Sequence, residues 1–160
     1  MRVRDLMRTF PRHCSPSDSV PHVGRIMAEA GIGVLPVVDA SLRVTGVITD
    51  RDVCCALSQQ PAAGEALKTR DAASTPPWTC HAEDEIRTAL AVMRAHSVRR
   101  LPVVGGDGHL EGMLSFDEIV LSAQMLVGDR LGGPLYAEVI ETLRAILRPE
   151  HALAPVASPS

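Results

Sequence analysis

Four residues place a hydroxyl and a carboxylate at one spacing, twice over. Thr49 and Asp52 end the stretch Gly46-Val47-Ile48-Thr49-Asp50-Arg51-Asp52, and sixty-six residues later Ser115 and Glu118 end Gly112-Met113-Leu114-Ser115-Phe116-Asp117-Glu118. In each, an apolar strand-like run stops at a hydroxyl residue suited to open a helix, and the acid stands three positions on. Two kinds of chemistry use that spacing. As a capping box, the hydroxyl accepts from the third helical N–H and the acid accepts from the cap's own N–H. As a binding site, the unpaired N–H groups of a helix start attract phosphate, and a carboxylate can accept both vicinal hydroxyls of a sugar. The residues alone leave both readings open.

The elements that position these residues follow from the repetition. A shift of sixty-six residues superposes Arg4 on Arg70, Asp5 on Asp71, Thr9 on Thr75, Cys14 on Cys80, Asp18 on Asp84 and Leu35-Pro36-Val37-Val38 on Leu101-Pro102-Val103-Val104. Two copies at this spacing mean tandem copies of one small motif. Each copy reads as a short strand (Arg12 to Cys14; Trp78 to Cys80), an acidic N-cap (Asp18; Asp84) and an amphipathic helix. The faces Val20, Val23, Met27, Ala30 and Ile86, Ala89, Leu90, Met93 should turn inward. A β-rich run (Val34 to Val38; Leu101 to Val104) then turns at Asp39 to Arg43 or at Gly105-Gly106-Asp107-Gly108 into a second strand, which makes a hairpin. A last helix should bury Val53, Ala56 and Leu57, or Ile119, Val120 and Ala123. The predicted fold is therefore α/β (α+β): two β-α-β-β-α motifs, each too small to bury its sheet alone, packed sheet to sheet about a pseudo-twofold axis, with a further C-terminal helix. The boundaries expected are 1–58 and 70–124 for the motifs, 59–69 for a connector, 125–148 for a helical extension and 149–160 for a disordered tail. In the extension, Gly132-Gly133-Pro134 should break the chain, and Leu135, Val139, Leu143 and Ile146 form an apolar stripe.

Composition narrows the function classes. Four aromatic residues in 160 make the core aliphatic and leave no stacking platform for single-stranded nucleic acid. A net charge of −3 and scattered arginines give no nucleic-acid footprint. The charged N-terminus and the absence of a long apolar run lead us to expect a soluble, cytoplasmic protein without membrane contact. Cys14, Cys54, Cys55 and Cys80 match no zinc spacing and read as buried reduced thiols, and six scattered histidines give no metal site. Arg99-Arg100 is either a solvated turn or a partner of the acidic run Glu83-Asp84-Glu85. No nucleophile elbow or phosphate loop accompanies the repeated motif, so we expect no enzyme and no catalytic residue.

The doubled Leu-Pro-Val-Val, the doubled Gly-apolar-apolar-Thr/Ser-x-x-acid and the doubled β-α-β-β-α order resemble a tandem pair of CBS domains, a Bateman module, over roughly Val3 to Ala123. The chain is similar to small stand-alone bacterial CBS-domain proteins. The resemblance implies a regulatory module without catalytic cofactor that takes an adenosine-containing ligand (AMP, ADP, ATP or S-adenosylmethionine) between the copies. It implies that Thr49 and Ser115 lie near ribose or phosphate, that Asp52 holds the ribose hydroxyls, and that Glu118 stands where the family has Asp. It places adenine between the first strand and the residues before Leu-Pro. Here these are Arg12, His13 and Cys14 with Ile32, Gly33 and Val34, and Trp78, Thr79 and Cys80 with Val98, Arg99 and Arg100. It also implies a homodimer acting on an unidentified protein target. The alternative is a structural or interaction module in which Asp52 and Glu118 serve only as caps.

Overall fold

A computed structural model describes residues 1–123 and 136–147. The first copy contains β1 (Arg8–Thr9), α1 (Val20–Ala30), β2 (Val34–Val38), β3 (Val44–Thr49) and α2 (Asp50–Gln59). The second contains α3 (Thr69–Ala72), β4 (Cys80–His81), α4 (Ile86–His96), β5 (Arg100–Val104), β6 (Leu110–Ser115) and α5 (Phe116–Ser122), and α6 (Tyr136–Leu147) follows. The expected break at Gly132-Gly133-Pro134, Leu135 and the tail from 149 lie outside the described residues.

The hairpins form as the sequence predicts. β2 pairs antiparallel with β3, Val34 opposite Thr49, and β5 pairs with β6, Arg100 opposite Ser115, so each hydroxyl residue stands at the end of its hairpin. Matching irregularities fall at Val37/Val38 and Val103/Val104. The hairpin tips bond each other through Val44 N–H to the Gly108 carbonyl and Leu110 N–H to the Leu42 carbonyl, both at 3.0 Å.

The pseudo-twofold relation is written in reciprocal hydrogen bonds. The segment leading each copy crosses to the other: Arg8 lies opposite Met113 on β6, and its counterpart Ser74 lies opposite Val47 on β3. Val3 N–H donates to the Asp84 carbonyl and Thr69 N–H to the Asp18 carbonyl, each at 2.9 Å. These crossings carry apolar side chains with them. Val3 belongs to the core of the second copy, with Leu101, Leu114, Met93 and Ile119, and Leu67 belongs to the core of the first, with Leu35, Ile48, Val23 and Met27. The stretch 59–69 is therefore no loose tether: it holds a short 3-10 turn, Gly64–Ala66, and buries Leu67.

Several local expectations are corrected. Asp18 and Asp84 do not cap α1 and α4. Their carboxylates accept from Ser15 N–H and His81 N–H at 2.8 Å, closing the turn before each helix, while Ser19 caps α1 and Glu85 precedes α4 without a side-chain cap. The first strands shrink to a bridge between Cys14 and Val37 and to Cys80–His81, because only those residues reach the parallel neighbours β2 and β5. On α5, Phe116 turns inward and Val120 outward, since the helix starts one residue after Ser115 and sets the phase of the apolar face. Cys54 and Cys55 are exposed on α2, whose inward position is taken by Val53. Among the described residues no helix is long and apolar enough to cross a membrane.

Leu101 is fully buried and Leu42 half-exposed. Leu101→Ala will therefore cost about 2–5 kcal/mol in urea unfolding, whereas Leu42→Ala will stay within about 0.5 kcal/mol.

Candidate functional site

Between the copies lies a cleft of about 500 Å³. One wall comes from the first copy: the β1 lead-out through Arg12, the C-terminal end of α1 with Ala30, Gly31 and Ile32, and Val34 and Pro36 on β2. The other comes from the second copy: Arg100, Met113, Ser115, Asp117, Glu118 and Leu121. The crossing of β1 onto β6 brings these walls together, because it carries Arg8 to Arg12 across to the strand that ends in Ser115.

The base of the cleft holds a closed hydrogen-bond set. Ser115 Oγ accepts from Glu118 N–H at 3.3 Å, Glu118 Oε2 accepts from Ser115 N–H at 3.1 Å and from Ser115 Oγ, and Glu118 Oε1 accepts from Arg8 Nε. Burial pushes the Glu118 carboxyl up, but the Ser115 hydroxyl and the Arg8 guanidinium outweigh it and hold the group below the usual carboxylate range. Arg99 and Arg100 reach Asp117 at 3.4 and 3.8 Å, not the Glu83-Asp84-Glu85 run; Glu83 instead pairs with Arg2 and Arg4. Arg12, on the cleft wall, has no ion-pair partner among the described residues. The cleft thus offers an apolar slot at Ile32, Val34, Pro36 and Met113, a hydroxyl-carboxylate pair at its base, and guanidinium groups at Arg12 and Arg100.

Of the residues singled out from sequence, Arg12, Ile32, Val34, Arg100, Ser115 and Glu118 line this cleft. Gly33 lines a separate hollow of about 380 Å³ beside Asp50 and Val53. Thr49 and Asp52 form the equivalent set on the first copy: Asp52 Oδ2 accepts from Thr49 N–H and Oγ1, both at 2.8 Å. Trp78 and Val98 stand where Arg12 and Ile32 do in the first copy, while Thr79 and Arg99 correspond to His13 and Gly33, which do not line the cleft, and Arg99 pairs with Asp117. Trp78 stacks on His96, ring centroids 3.3 Å apart and planes within 8°. His13 is exposed, its Nδ1 at 3.4 Å from the Pro11 carbonyl. Cys14 and Cys80 are buried; burial first, and then Asp18 or Asp84 nearby, pushes both thiols up to about 12, which leaves them inert. Among the described residues no three His, Cys, Asp or Glu side chains gather to hold a metal ion.

The sequence reading missed Arg8 and Phe10. Phe10 lines the cleft mouth, 97% exposed, with a left-handed backbone (φ 52°). An aromatic residue between Thr9 and Pro11 in a polar stretch was the available signal.

Comparison with known proteins agrees with this architecture. The family model of the CBS domain matches residues 3–59 and 70–123. An inosine-5'-monophosphate dehydrogenase of Mycobacterium leprae is 32% identical over 118 residues, 74% of this chain, and the chain spans about a fifth (21%) of that relative's length. The crystal structure of Hypoxic Response Protein I with two coordinated zinc ions is 25% identical, with a TM-score of 0.69 over 76% of this chain and 98% of that one. That of CBSX2 in complex with AMP, a protein of Arabidopsis thaliana, is 25% identical, with a TM-score of 0.67 over 75% of this chain and 93% of that one.

The lowered Glu118 pKa makes a signed prediction. The bonds from Ser115 and Arg8 to the ionised carboxylate stabilise the fold fully above the unfolded glutamate pKa of about 4.3, and that contribution is lost as pH falls through the lower folded value. The stability difference between wild type and Glu118→Gln in urea unfolding will be largest near neutral pH and will shrink on acidification; a difference independent of pH would mean that neither Ser115 nor Arg8 favours the ionised carboxylate.

Proposed function

This chain belongs to the CBS-domain family as a tandem pair, and we propose that it is a regulatory module that takes an adenosine-containing ligand in the cleft between its copies. The observation that carries the reading is the cleft itself: about 500 Å³, walled by both copies, apolar along Ile32, Val34, Pro36 and Met113, and edged by Arg12, which has no ion-pair partner among the described residues. A purine suits the slot, a ribose can exchange hydrogen bonds with Ser115 and Glu118, and phosphates would meet Arg12 and Arg100. The AMP held by CBSX2 supports an adenosyl ligand. Of the set AMP, ADP, ATP and S-adenosylmethionine, the guanidinium groups favour the phosphate-bearing members. The match to the dehydrogenase is confined to about a fifth of its length, so no catalysis is transferred and the chain is read as a non-enzyme.

Because both walls contribute contacts, ligand energy would bias the relative placement of the copies. The module would act on a protein target, in the cytoplasm, as a homodimer. The exposed apolar residues Leu121, Ile140 and Leu147 on α5 and α6 support such a surface. A second reading, a structural interaction module, draws on one observation: both hydroxyl-acid pairs close as complete capping boxes.

Thermal unfolding with AMP, ATP, S-adenosylmethionine and GMP separates the two. At 100 times its dissociation constant a ligand adds about 2.7 kcal/mol, which should raise the midpoint by roughly 5–10 °C in a chain of this size. AMP or ATP will do so, and Arg12→Ala will reduce the shift. No shift with any adenosyl compound would leave the structural module standing.

A further inference from the structure

The cleft described above is lined by both copies, and the two copies fill equivalent positions with different side chains. Where the cleft described above is lined by Arg12 and Ala30, the second copy places Trp78 and His96. In the first copy these two positions both line the cleft, one on the lead-in to the strand segment at Cys14, the other at the C-terminal end of α1. In the second, Trp78 leads into β4, His96 is the last residue of α4, and their rings stack at 3.3 Å and 8°.

Resting on the adenosyl-ligand reading, we propose that the Trp78–His96 stack is an internal plug of the second cleft, the one served by Thr49 and Asp52, so that each chain takes one ligand and not two. A planar imidazole lying on an indole is the arrangement a bound base would adopt on the same ring. His96 thus occupies the indole face that a purine would need. The pair also replaces the guanidinium that Arg12 presents to the first cleft, so the second loses a phosphate contact together with its space. The consequence runs against the sequence motif: Asp52, which matches the family's acid, serves the closed cleft, and Glu118, which departs from it, serves the open one.

The test is the stoichiometry of AMP binding by calorimetry, with wild type, His96→Ala and Trp78→Arg. The two variants give the second copy the residues the first carries at these positions. Wild type should bind one AMP per chain and either variant two, and adding Asp52→Ala to His96→Ala should remove the gained site. Two sites in wild type, or one site in wild type and still only one in both variants, would overturn the plug. If wild type binds no AMP while a variant binds one, the plug stands and the assignment of the first cleft falls. If no protein binds AMP, the adenosyl-ligand reading fails by itself and the plug is judged on Trp78, the chain's single tryptophan. Acrylamide quenching of its emission should rise in His96→Ala, and unchanged quenching would overturn the stack.

Discussion

Everything in this structure depends on an exchange: each copy closes its core with the segment that leads the other. Val3 is completely buried in the second core and Leu67 almost completely in the first. About 55 residues cannot enclose a two-stranded hairpin and two helices without outside help, so apolar surface drives the crossing. The backbone then fixes its register, with Arg8 opposite Met113 and Ser74 opposite Val47. A cleft between copies is the geometric result, because the crossing segments must pass over the ends of the hairpins where the hydroxyl residues sit.

The exchange also explains how one motif, written twice, yields a cleft that draws on both copies. The cleft takes its hydroxyl and acid from the second copy and the segment Arg8 to Arg12 from the first. Substitutions in either copy are therefore combined crosswise. The cleft holding Ser115 and Glu118 gains Arg8 and Arg12 from the first copy. At the position equivalent to Arg12 the second copy carries Trp78, whose indole is stacked on His96. The α6 helix adds to the asymmetry, since it packs Val139, Leu143 and Ile146 onto the second core.

Much of this was legible in the sequence, for physical reasons. A constant offset of sixty-six residues marks a repeat, and the alternation and helical periodicity in each copy set the hairpins and the faces Val20-Val23-Met27 and Ile86-Ala89-Leu90-Met93. What could not be read was local. The choice of Ser19 over Asp18 as cap turns on one residue of phase, and the loss of strand at Arg12 and His13 turns on which residues reach a neighbour. The cross-copy assembly of the cleft was beyond periodicity altogether, because nothing in the spacing says which first strand meets which hydroxyl. Arg8 escaped notice for that reason: its partner Glu118 is 110 positions away.

The decisive measurement is a crystal structure of the protein grown with AMP. Nucleotide density should stand in the shared cleft, with the base between Ile32 and Met113, ribose at Ser115 and Glu118, and phosphate at Arg12. Density elsewhere, with the cleft empty and the Arg8–Glu118 pair intact, would contradict this placement.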